Sequence, residues 1–338
     1  MIKTKSGRIF ELDALRGIAA MCIVLFHFSG GLNAKYFVIL QTGVELFFMI
    51  SGFVILMSLE KVRNSREFII SRLTRLYPTY WACVTITALL ILISKYGSHG
   101  GHLLIQYFAN MTMFQSWLSQ ANLDDPYWTL IIEMIFYMLM LSIYALGGLR
   151  KIEPIGIVLI LLSLLYGRYL SFRFADLNDL VFQYIGLVYF FPLFFSGIIY
   201  YKLKFDKKKL YRYGILLISF VAQLSLFRKL EWRTANMSLL QYTIMLAIYN
   251  ILFLLYVHNA LQIIVNKVTV FLGFISYPLY LVHNFLGTYI ILPFLTTYLL
   301  SWQAIALDVC IVVGLAYLIY QYVERPLIIY TRNKWLKR

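Results

Sequence analysis

Five side chains able to exchange a proton sit inside stretches of sequence that are otherwise apolar: His27, Glu45, Glu133, His283 and Asp308. In hydrocarbon a charged side chain costs about 2.5 to 3.5 kcal/mol on insertion scales, so each such group marks a site of function unless a neighbour neutralises it. Histidine is the usual general base near neutral pH, and it also serves as a nucleophile. A carboxylate beside it would orient the ring and stabilise its cation, the part that Glu45 is expected to play toward His27. Glu133 and Asp308 are the expected structural pair. A sixth buried charge, Arg16, stands eleven residues before His27 and three after Asp13. That spacing suits a local ion pair along a helix; the alternative is that Arg16 faces an anionic group.

The elements that must hold these groups are membrane helices. Of the 338 residues, 61% are hydrophobic, 17% aromatic and only 13% charged, and apolar runs of about 20 residues, the length that spans a bilayer core, recur along the chain. Ten spans are expected, over residues 12 to 33, 38 to 59, 78 to 96, 127 to 147, 154 to 170, 184 to 203, 212 to 228, 238 to 257, 271 to 292 and 302 to 323. The net charge of +15 would in a soluble protein raise nucleic acid as a partner, but its distribution reads as topology and no nucleic acid is expected. One set of alternating segments holds Lys3, Lys5, Arg8, Lys61, Arg63, Arg66, Arg72, Arg75, Arg150, Lys151, Lys202, Lys204, Lys207 to Lys209, Arg212, Lys267, Arg325, Arg332, Lys334, Lys337 and Arg338. The other holds only Lys35, Lys95, Arg168, Arg173, Arg228, Lys229 and Arg233. This roughly threefold bias predicts an all-α polytopic bundle with both termini in the cytoplasm. Residues 99 to 125 are expected as an external loop partly lying on the membrane.

Depth along each span follows from a rise of about 1.5 Å per residue. His27 then stands about 22 Å above the inner boundary and His283 about 18 Å, while Glu45, Glu133 and Asp308 lie about 19 to 23 Å above it. Five groups from five helices at one level predict a common pocket. Below them, the segment EKVRNSREFIISRLTRLYPTYW reads as a basic amphipathic helix stopped by Pro78, where the next span begins. Lys61 and Arg63 are expected to serve topology, whereas Arg72 and Arg75, three residues apart near the membrane, suit a phosphate-bearing ligand, which guanidinium binds bidentately. Trp117, Tyr127 and Trp128 could stack on a sugar, or simply form an interfacial aromatic belt. Cys22, Cys83 and Cys310 show no metal-like spacing, and no metal site is expected.

Six segments in order resemble the integral-membrane acyltransferase family 3: LDALRGIAAMCIVLFHF with Arg16 and His27, GVELFFMISGFVI, SRLTRLYPTYW with Arg72 and Arg75, YWTLIIEMIFY around Glu133, ISYPLYLVHN ending past His283, and VERP. The resemblance covers nearly the whole chain as one membrane-embedded domain, residues 1–338 with no appended soluble domain. It implies transfer of an acyl group, commonly acetyl from acetyl-CoA, to a hydroxyl of a cell-surface glycan such as O-antigen or exopolysaccharide, or of a lipid-linked sugar. It further implies a multi-pass protein of the cell inner membrane, with Arg16 and His27 in the catalytic site and Arg72 and Arg75 on the CoA side. One departure is that Glu133 is followed by Met134, where the family often has two adjacent acids. The main rival reading is a transporter or flippase, for which buried charges at mid-membrane depth are equally natural.

Overall fold

The computed structural model describes residues 8–31, 37–94, 100–170, 175–206, 209–230 and 234–335. Lys3, Lys5, Lys35, Lys95, Arg173, Lys207, Lys208, Arg233, Lys337 and Arg338 lie outside the described residues. The helices run α1 Phe10–Phe28, α2 Gly43–Leu59, α3 Ser65–Ile93, α4 Gly100–Met111, α5 Trp128–Ala145, α6 Ile152–Leu165 and α7 Ala175–Ile185. They continue as α8 Leu187–Phe205, α9 Tyr211–Phe227, α10 Leu239–Val257, α11 Lys267–Val282, α12 Ser301–Ile319 and α13 Arg325–Trp335. Among the described residues there is no strand.

Among the described residues, seven helical stretches are long and apolar enough to cross a membrane: Val38–Leu59, Ser65–Ile93, Asp125–Ala145, Leu180–Phe205, Leu239–Val257, Lys267–Leu295 and Ser301–Thr331. The other three expected spans are helical too, as α1, α6 and α9, of 19, 14 and 17 residues.

Local sequence explains one clear departure from expectation. The basic segment and the span after it are one helix, α3, running straight through Pro78. Its start is set by Asn64, whose side chain accepts from the Glu67 N–H at 2.9 Å, while Glu67 accepts from the Arg63 N–H at 2.8 Å, satisfying two amides of the first turn. Proline removes one backbone bond of the ladder, the one to the Thr74 carbonyl, a loss that membrane helices tolerate where neighbouring helices pack around them; close by, the Tyr277 hydroxyl donates to the Leu76 carbonyl at 3.1 Å. Likewise, residues 99 to 125 are not mere loop, since α4 occupies Gly100–Met111.

The centre of the bundle is α8, buried on every side from Tyr189 to Tyr201, as an all-apolar helix must be. It meets α2 so closely that a Cβ on Gly52 would stand 1.9 Å from the Phe194 carbonyl oxygen, and one on Gly197 1.9 Å from that of Met49. A second such crossing joins α1 to α11, where a Cβ on Gly273 would lie 2.1 Å from the Asp13 carbonyl oxygen and one on Gly17 2.7 Å from the Gly273 amide. Small residues at helix crossings permit this approach, and van der Waals packing then holds the pair.

Candidate active site

The crossing at Gly17 and Gly273 decides where the two histidines go. Helices α1 and α11 run side by side in the same direction from that point, and each carries a histidine ten residues later, His27 and His283. Ten residues of helix lift both by about 15 Å. They therefore meet: the ring centroids are 5.1 Å apart with planes at 59°. His283 Nδ1 lies 3.1 Å from the Leu279 carbonyl and 2.9 Å from that of Tyr280. Since both neighbours are acceptors, Nδ1 must carry the proton, which leaves Nε2 as a lone pair. That Nε2 is buried and has no hydrogen-bond partner among the described residues. His283 also opens a π-helical stretch, His283–Ile291, a geometry found often at functional sites.

That stretch is pinned from outside the helix. Asp124, in the segment before α5, is buried to 3% exposure and accepts from the Asn284 side-chain amide at 2.7 Å and the Phe285 N–H at 3.0 Å. Two charge-assisted bonds thus hold the residues directly after His283.

Two cavities flank the histidines. One, with about 760 Å³ of empty space, holds Arg16, Arg72, Arg75, Glu133 and Tyr137, and lies toward the end of the bundle where α1 and α3 begin. Along α2 it runs from Val44 to Ile55, eleven residues or about 16 Å of helix. Three guanidinium groups face one carboxylate there, and that carboxylate is engaged: Glu133 Oε1 accepts from Ser51 at 2.7 Å and from the Tyr137 hydroxyl in a short bond. Arg72 donates through Nη2 to Ser58 at 2.9 Å, while its Nε is buried without a partner among the described residues. Glu324 of the VERP segment is buried behind the cluster and interacts electrostatically with Arg75 and Arg16.

The second cavity, about 1090 Å³, contains His27, Gln41, Asn122, Asp125 and Trp128, and lies toward the opposite end. Among the described residues, Val44 and Tyr280 are the two that line both cavities, so they stand where the two meet.

The expected residues thus divide. Arg16, Arg72, Arg75 and Glu133 come together in the first cavity; His27 opens on the second, with His283 against it. The common pocket for all five protonatable groups is not formed, because depth does not determine which side of its helix a residue faces. The direct ion pair of Asp13 is with Arg8, Nε to Oδ2 at 2.7 Å, while Arg16 lines the cavity and keeps an electrostatic interaction with Asp13. Nor do Glu133 and Asp308 pair, since Asp308 is buried on α12 beside Gly287, where an added Cβ would lie 3.2 Å from its Oδ2. Glu45 is buried to 1% exposure in the first turn of α2, and the ring contacts of His27 are with Phe26 and His283. Of the aromatics, Trp128 reaches the second cavity, Tyr127 is fully buried, and Trp117 donates to the Tyr184 carbonyl at 3.1 Å.

Sequence reasoning missed Tyr137, Asp124 and Tyr280. For the two histidines, the equal spacing from Gly17 to His27 and from Gly273 to His283 was a signal in addition to their shared depth.

A helical membrane bundle with a histidine pair beside one cavity and an arginine cluster in another is built as an embedded site with two compartments. The acyltransferase 3 profile, described as an acyltransferase domain, matches residues 9–321. The chain belongs to this family, and it is an acyltransferase. It is 28% identical over 285 residues to a protein of Acidianus two-tailed virus named a putative acetyltransferase, covering 81% of this chain and 82% of that one. Proteins of Staphylococcus aureus strains COL and MSSA476, named putative O-acetyltransferases, are 25% identical over 354 residues, covering 93% of this chain. The chain spans 56% of the length of those staphylococcal relatives. No solved structure matches it.

Proposed function

We propose that this protein transfers an acyl group, acetyl in the first instance, from acyl-CoA to a hydroxyl group of a glycan or lipid-linked sugar. In this reading all ten expected spans cross the inner membrane, and the basic end of the bundle faces the cytoplasm, where CoA is held. The observation that carries the reading is the division of the site: arginines in one cavity, the histidine pair at the other, one thin wall between.

The first cavity suits the donor. Arg72 and Arg75, with Arg16 deeper in, supply three guanidinium groups against the carboxylates of Glu133 and Glu324, which leaves donors for phosphate oxygens, the buried Nε of Arg72 among them. A channel of about 16 Å along α2 suits the narrow arm that carries the thioester. Glu133 holds Tyr137 and Ser51 in place within it.

The second cavity suits the acceptor. There the hydroxyl oxygen attacks the thioester carbonyl carbon, the carbon–sulfur bond breaks, and the proton removed from the hydroxyl ends on the CoA thiol. His27 is the residue placed to take that proton; alternatively it carries the acyl group between donor and acceptor. His283, locked as the Nδ1–H tautomer, presents its Nε2 lone pair beside it as orienting partner, the role that sequence had given to Glu45. An acyl-imidazole formed before acceptor is added would distinguish carrier from base.

Membranes containing the protein, incubated with acetyl-labelled acetyl-CoA, are expected to move label into polysaccharide or lipid-linked sugar, and His27→Ala should lower that by about 10² to 10⁴ while the protein remains inserted. Transfer by His27→Ala within about tenfold of the wild type overturns the assignment of that residue. Passage of unmodified substrate across the membrane, without covalent label, would instead mean a carrier.

A further inference from the structure

If donor and acceptor occupy different cavities, the acyl group must pass from one to the other, and Val44 and Tyr280 are the described residues that line both. We infer that Tyr280 and Val44 form a gate whose aperture limits the acyl group to a short one, so that this pair selects the donor by chain length. The inference rests on the acyl-CoA reading above and adds to it the size class of the donor.

Tyr280 is built as a closed but releasable element. Its ring packs edge-on against Phe47 of the first cavity, at 5.9 Å between centroids, and lies 5.9 Å from the His283 ring. Its hydroxyl sits 2.9 Å from the Pro126 carbonyl and 2.8 Å from Thr129 Oγ1, and Thr129 in turn lies 3.0 Å from the same carbonyl. Three contacts share two hydroxyl protons, so they cannot all be hydrogen bonds at one moment. Net stabilisation per such bond is modest, and rotation of the Tyr280 side chain away from this latch is the movement the gate requires.

The backbone around it is arranged so that such a movement need not disturb the histidines. The Tyr280 carbonyl holds His283 Nδ1, while the gate is the side chain; a rotation about the side-chain bonds opens the wall and leaves the carbonyl where it was. Tyr280 also lies between two interruptions of the regular helix, Pro278 and the π-helical stretch from His283. On the other side of the aperture stands Val44, small and stiff at its branch point, on the same helix as the channel wall below. With the donor arm reaching up that channel, the space that Tyr280 vacates, bounded by Val44, is what an acyl chain must pass. Each added methylene must find room there, and a misfit of one methylene in an apolar site is typically worth a tenfold or larger discrimination.

The test measures transfer from acetyl-, propionyl-, butyryl- and hexanoyl-CoA, each labelled in the acyl group, into acceptor material in membranes of the full chain. The quantity read is the ratio of butyryl to acetyl transfer, which does not depend on expression level. Val44→Ala and Tyr280→Ala are each expected to raise that ratio about tenfold or more, and Val44→Phe to lower it by a similar factor. Tyr280→Phe, which keeps the bulk and removes the latch, should leave the ratio within about twofold of the wild type. Val44→Ala carries the test if Tyr280→Ala fails to insert. An unchanged ratio in both Val44 variants, with the wild type active, overturns the gate and leaves the acyl-CoA reading standing. A wild type that transfers nothing from any of the four thioesters overturns that reading, and the gate with it.

Discussion

The two cavities differ in what holds their polar groups. In the arginine cavity the Glu133 carboxylate is engaged through one oxygen by Ser51 and Tyr137, while guanidinium groups are in excess and one buried nitrogen, Arg72 Nε, is unbonded among the described residues. In the histidine cavity the order is reversed: the scaffold is fixed, through Asp124 and the carbonyls of Leu279 and Tyr280, and the group left with a free lone pair is a base. The first is prepared to receive negative charge, the second to receive a proton. Such a division suits a reaction whose donor is anionic and whose acceptor gives up a proton.

The comparison can be broken most severely at His27. Removing a general base typically costs about 10² to 10⁴ in rate, so His27→Ala is expected to lower acyl transfer by that order with little change in the Michaelis constant for the donor. Arg75→Ala should show the opposite split, raising the Michaelis constant for acyl-CoA about 10- to 100-fold through loss of a charge-assisted contact. Lysine should restore it only in part, because the planar fork is lost.

At the shared foundation of both cavities, Gly273→Ala forces a Cβ against the Asp13 backbone. Overpacking of this kind costs about 1 to 3 kcal/mol, visible as a lower melting temperature of the purified protein in detergent, together with lost activity as the histidines separate. Asp124 gives a smaller, pH-dependent effect. Burial pushes its carboxyl up to about 7 from 3.8, against the opposing bonds from Phe285 and Asn284. The folded protein then holds this proton more tightly than the unfolded chain. Stability from this group is present at low pH, falls as pH rises from about 4 to about 7, and is level above that. Asp124→Asn should remove that slope from a plot of melting temperature against pH. Smallest of all, Arg66→Ala, at an exposed position on α3 away from the arginine cavity, should change the donor Michaelis constant by less than about twofold, as surface substitutions usually do.

Much of this layout was legible in sequence, and the limits are physical. Helix rise is linear in residue number, so the depths of His27 and His283 could be read and the two do meet. Which way a side chain points depends on how helices pack, and so Glu133, placed by depth beside the histidines, belongs to the other cavity. Arg72 and Arg75 were readable because charge beside a membrane needs a reason, whereas Tyr280 was not: tyrosine in an apolar run has an ordinary explanation at every position. Pro78 misled for the opposite reason. A strong local signal for a helix boundary was overridden by the bundle, where a proline inside a packed membrane helix is tolerated. Asp124 lay in a segment read as loop, and its partners are 160 and 161 residues away, beyond the reach of any local pattern.

The account stands on donor and acceptor using opposite faces of one wall, and sidedness is what measures it. In sealed vesicles of defined orientation, acetyl-labelled acetyl-CoA supplied only to the face carrying Arg63 and Arg66 is expected to label acceptor confined to the opposite side, with no labelling by the His27→Ala protein. Labelling that requires donor and acceptor on the same face would contradict it.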